Sequence, residues 1–110
     1  MSAVTQPSMT FEEFLSLCEA ETEPKLASHL KALWFDRQGE WDSAHEEIQD
    51  GHDTFSAAIH AYLHRKEGDI SNARHWYSTA NRPVFKGSLN DEWEALAREI
   101  VIKHDSRAQP

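Results

Sequence analysis

Cysteine, glycine and proline are all scarce in this chain. Cys18 is the one cysteine, so no disulfide can close within the chain, and a disulfide-built small fold is excluded. A lone thiol fits a reducing compartment, and the expected location is cytoplasmic. The four glycines (Gly39, Gly51, Gly68, Gly87) and four prolines (Pro7, Pro24, Pro83, Pro110) interrupt no apolar-periodic segment. β-branched residues are few, which argues against strands. No stretch approaches the ~18 to 20 apolar residues that span a bilayer, so no membrane segment is expected. Met1–Met9 lacks a basic region followed by an apolar run, so no signal peptide is expected either. Positive charge is also short. Eleven Lys+Arg against 19 Asp+Glu leave a formal net charge of −8. Such a surface repels nucleic-acid backbones and anionic membranes, which removes both as default partners.

Leu, Ile, Val and Phe together make only about 19% of the 110 residues, at the edge of the disordered range. Four Trp, two Tyr and 13 Ala oppose that reading. Aromatics bury large areas, and alanine lets helices approach closely. The chain reads as one lightly built domain, too short for a second sizeable core.

The apolar residues follow helical spacing and predict six helices. The first runs from about Phe11 to Ala20 behind a Thr10/Glu13 capping box. The second, Pro24 to Gln38, uses Pro24 in its first turn, where the missing N–H costs nothing. A third covers Trp41 to Gln49. The fourth covers Thr54 to Glu67, with Asp53 as N-cap. It is apolar on two faces, one of Phe55, Ala58, Ile59, Tyr62 and Leu63, the other of Ala57, Ala61 and His64 with His60 at its edge. Such a helix is sandwiched between others. The fifth spans Ile70 to Ala80 and the sixth Leu89 to Lys103, behind Ser88.

The segment Ala32-Leu-Trp-Phe-Asp-Arg-Gln-Gly-Glu-Trp-Asp-Ser-Ala44 recurs 29 residues later as Ala61-Tyr-Leu-His-Arg-Lys-Glu-Gly-Asp-Ile-Ser-Asn-Ala73. In both copies a glycine ends one helix in a left-handed conformation, and an acid and a bulky apolar residue open the next. The second copy continues through Tyr77, Ala80 and Pro83. This pattern resembles the tetratricopeptide (TPR) helical hairpin over roughly Ser28 to Pro83, although the offset is shorter than the family's usual ~34 residues. The stretch from Ala61 to Asp69, with Asn72-Ala73, Trp76-Tyr77 and Trp93-Glu-Ala-Leu96, is also similar to a group of small bacterial TPR-type helical proteins. That resemblance implies a fold and a bacterial source, and no activity. The expected architecture is all-α, with about six helices. Two TPR-like hairpins are stacked between capping helices over residues 10–103, with disordered tails over 1–9 and 104–110. Two repeats are fewer than the ~3 that make a stable array, so the end helices or a second copy of the chain must complete the core.

Two constellations bear on function. The first is His60-x-x-x-His64, two imidazoles one turn apart, with His45 on the neighbouring helix as a third ligand. That spacing suits Zn²⁺, and it equally suits packed histidines hydrogen-bonded to a carboxylate such as Glu67. The second is a groove of Trp34, Phe55, Tyr62, Arg65, Lys66 and Trp76 on the concave side of the hairpins, a basic spot suited to an acidic peptide or small anion. Its plainer alternative pairs Arg65 with Glu67 or Asp69 and leaves Lys66 in water. Cys18 sits on an apolar stripe and reads as core. No nucleophile-elbow or phosphate-loop motif occurs, and no residue takes a catalytic role. The leading expectation is a protein-interaction or adaptor module that binds another protein or peptide. One alternative is a helical protein that binds a metal or small ligand through His60 and His64, and a third reading is an enzyme of uncharacterised activity.

Overall fold

The computed structural model describes residues 9–20 and 22–108, with side chains as far as Lys103. Their regular structure is entirely helical: α1 (Phe11–Glu19), α2 (Ser28–Arg37), α3 (Trp41–Ile48), α4 (Thr54–Lys66), α5 (Ile70–Thr79) and α6 (Leu89–Ala108). The all-α expectation holds. No helix among the described residues is long and apolar enough to cross a membrane.

The helix starts follow local chemistry. Thr10 Oγ1 accepts from Glu13 N at 3.0 Å while Thr10 N donates to Glu13 Oε1 at 2.8 Å, a closed capping box. Asp53 caps α4 through Ser56 N, Asp69 caps α5 through Asn72 N, and Ser88 accepts from Asp91 N. The helix ends repeat one device. Gly39 and Gly68 have φ of 81° and 90°. The N–H groups just beyond them, on Glu40 and Asp69, donate back to Phe35 O and His64 O. Asn81, with φ 62°, ends α5 in the same way, through Arg82 N to Tyr77 O.

Two boundaries differ from expectation. α2 begins at Ser28 rather than Pro24. Leu26 already reaches the core from the extended segment before the helix, and Lys31 anchors that segment to Glu23 at 2.8 Å, so no helical turn is required there. α6 continues past Lys103 to Ala108, so the tail expected over 104–110 is helical as far as Ala108, and 109–110 lie outside the described residues. The tail expected over 1–9 lies outside them too, apart from Met9, which packs on the core.

The closest helix pairings are α2 with α3 and α4 with α5, the two hairpins joined at Gly39 and Gly68. α4 is the hub. It also packs on α2, α3 and α6, and every residue from Ser56 to His64 is buried. α1 and α6 close the other side around Trp93, which is fully buried, stacked on Phe14 at 5.6 Å and bonded through its indole N–H to Leu33 O at 3.1 Å. On the opposite side of α4, Ala61 meets Ala73 and Tyr77 of α5 in a small second core. Alanine at both positions lets the two backbones approach.

Candidate metal centre

His60 and His64 lie one turn apart on α4 and are only 5% and 7% exposed. Residues four apart share a helix face, so both imidazoles point the same way. α3 packs against that face and delivers His45. One ligand nitrogen from each of the three lies within 4.8 Å of the other two, and the Nε2 atoms of His45 and His60 are 2.9 Å apart. A Zn–N bond of ~2.0–2.1 Å places tetrahedral ligand nitrogens about 3.3 Å apart, a value inside that bracket. Without an ion, a 2.9 Å contact between two imidazoles is one N–H donating to the other's lone pair.

Aromatic planes fix the rings. Trp41 stacks on His45 at 5.0 Å and 10°, and its own N–H is satisfied by Leu63 O at 2.8 Å. Trp76 of α5 stacks on His60 at 3.9 Å and 13°. His60 in turn lies nearly parallel to His64 at 4.9 Å. Glu67 Oε2 is 2.8 Å from His64 Nδ1, which orients that ring and leaves Nε2 as the nitrogen free of the carboxylate. The Asn72 amide lies 3.5 Å from this Nε2.

Burial disfavours the imidazolium and pushes His60 down to about 4, with His45, His64 and His75 adding in the same direction. Burial also lowers His45, helped by His64, and the acids Glu67, Asp42 and Glu46 offset only part of this. At neutral pH both rings are therefore uncharged and carry a lone pair, the form that ligates. Glu67 and Asp69 form a second group with His64. Both are exposed, and Asp69 is already engaged as the α5 cap.

The six residues expected to line a groove have other roles. Trp34 is buried, with its indole N–H on Leu17 O at 2.8 Å. Phe55 packs beside His29 at the far end of α4. Tyr62 is buried and donates to Asp36 Oδ2 at 2.5 Å, and Lys66 binds the other oxygen of the same carboxylate at 2.7 Å. Arg65 reaches Glu92 at 2.7 Å and also Gly87 O. Trp76 covers His60. Tyr62 and Lys66 do border a surface cavity of about 350 Å³ with Arg37, Gly39 and Asn90, and the Lys66 ammonium there is paired with Asp36. Arg65 and Lys66 are thus paired within the fold, with Glu92 and Asp36 as the partners rather than Glu67 or Asp69.

Those two carboxylates were not visible as partners in the sequence. Asp36 and Glu92 are 4% and 3% exposed, and each is held by a tyrosine hydroxyl at 2.5 Å and a basic side chain at 2.7 Å. Burial and the adjoining carboxylate raise both phenols well above their ordinary range, so Tyr62 and Tyr77 remain donors. Cys18 is half-buried against the core, and burial pushes its thiol up to about 11, which makes it a poor nucleophile.

No protein-family model, no curated protein and no solved structure matches this chain. The chemistry of the site itself therefore carries the functional argument.

Proposed function

We propose that this chain is a small helical protein that binds one divalent transition metal of the zinc class through His45, His60 and His64. The observation that carries the reading is the convergence of three imidazoles from two helices, each with a ligand nitrogen within 4.8 Å of the others. Three supports accompany it. The two rings that burial affects most are neutral at working pH, so an ion displaces few protons. Two indoles and a neighbouring imidazole hold the ring planes. A carboxylate orients His64 from behind, as ligating histidines require. Imidazole donors suit Zn²⁺ and its first-row neighbours rather than Mg²⁺ or Ca²⁺, which favour oxygen.

The test is calorimetric titration of the tag-free, chelator-treated protein with Zn²⁺. One ion should bind per chain. His60→Ala should abolish binding, and His75→Ala, at an exposed position outside the cluster, should preserve it. Absence of Zn²⁺ binding to the folded wild type, or undiminished binding to His60→Ala, overturns the reading.

A further inference from the structure

The three imidazoles are neutral donors, so they cancel none of a divalent ion's charge. Among the described residues no cysteine or carboxylate joins all three within the cluster. Glu67 and Asp69 group with His64 alone, and Glu67 engages its outer nitrogen. The acids near His45, Asp42 and Glu46, act on it through space rather than as members of the ligand set. A four-coordinate ion held here has one position that no charged protein group fills. Structural zinc sites are closed by four protein ligands, whereas sites with three keep the fourth for water or an exogenous ligand. The surroundings favour exchange. His45, Trp41 and Trp76 are each only half-buried, so the rim of the cluster is partly exposed to solvent.

From this we infer that the centre is an open one, in which the fourth position holds exchangeable water and takes up a small monodentate anion. The inference rests on the metal-binding reading above and adds to it the chemical class of the exogenous ligand. The competing occupant is the Asn72 side-chain amide, which lies against His64 Nε2 and would close the site through its oxygen.

The experiment uses the full chain loaded with Co²⁺, whose visible d–d bands report coordination, titrated with sodium azide. An open centre gives a saturable spectral shift in wild type, and Asn72→Ala leaves that shift in place. Bands that azide does not move overturn the open centre while the metal-binding reading stands. If Asn72→Ala then becomes azide-sensitive, the amide is identified as the closing ligand. Failure of the folded protein to bind Co²⁺ at all overturns both the inference and the reading beneath it. Far-ultraviolet circular dichroism of each sample separates loss of site from loss of fold.

Discussion

The imidazole of His60 lies flat on the indole of Trp76, ring centroids 3.9 Å apart and planes 13° from parallel. α4 and α5 thus meet through an aromatic stack that also forms one wall of the histidine cluster.

The stack has a pH signature in the metal-free protein. His60 is held near 4 in the folded state against ~6.5 when unfolded. The unfolded chain therefore binds more protons than the native one below pH ~6.5, so stability is full above that pH and falls as pH drops toward 4. His45 is shifted the same way. The loss attributable to His60 is about 3 kcal/mol across this window. Urea unfolding with a chelator present should show it, and His60→Gln should flatten the profile. A midpoint that rises on acidification would mean that the cluster is charged and paired in the native state.

In the proposed metal centre Glu67 would act on the ion through His64, so Glu67→Gln should weaken Zn²⁺ binding by ~10–100-fold without abolishing it. Competition against a chromophoric chelator measures the change. An affinity equal to wild type would show that the Glu67 contact is only a surface ion pair.

Tyr62 and Tyr77 serve two separate buried carboxylates. Tyr62→Phe and Tyr77→Phe should each cost about 1–3 kcal/mol, because each leaves a buried acceptor short of a donor. Their effects should add to within about 0.5 kcal/mol if the two sites are independent. Chemical denaturation of the two single variants and the double variant decides this. Marked non-additivity would show that Lys66 and Arg65 link the carboxylates into one network.

At Gly39 and Gly68 an added Cβ would meet nothing within 4 Å, so the cost of alanine there is backbone strain alone. Gly39→Ala and Gly68→Ala should each destabilise by about 1–2 kcal/mol. Asn81→Gly, at the equivalent end of α5, should change stability by less than about 0.5 kcal/mol. Thermal melts of the three variants check the contrast, and equal losses at all three positions would refute the shared helix-ending device.

Much of this fold is legible because it is local. Thr10 with Glu13, Asp53, and the two glycines each specify a helix end through contacts within a few residues, and the structure has those contacts. The two-faced pattern of α4 correctly implies a helix packed on several sides. The histidine cluster is legible in part, since the four-residue spacing of His60 and His64 sets their common face. The positions that the sequence misplaces are those decided by distant partners. Arg65 and Lys66 read as free cations because Glu92 and Asp36 lie 27 and 30 residues away. Trp34 reads as a groove wall because no local pattern says that its indole N–H ends on the Leu17 carbonyl, and Trp76 does so because its stack on His60 joins two helices. Pro24 is compatible with a helix start but does not require one. The end of α5 falls at Ala80 as the periodicity implies, and the left-handed asparagine that follows is the part without a signature as strong as glycine's.

The uninterrupted burial of Ser56–His64 sets a hierarchy of local opening. Amide protons along that stretch exchange with solvent only when the whole domain unfolds, because every neighbouring helix must leave first. His60 and His64 lie on this continuously buried stretch, while His45 lies on α3, an eight-residue helix with only Ala44 and Ile48 buried. The cluster therefore joins a pair on the most buried helix to one member on a less buried one. If the centre binds zinc as proposed, the ion ties α3 to α4 through His45, so metal loading should slow deuterium uptake in α3 far more than in α4.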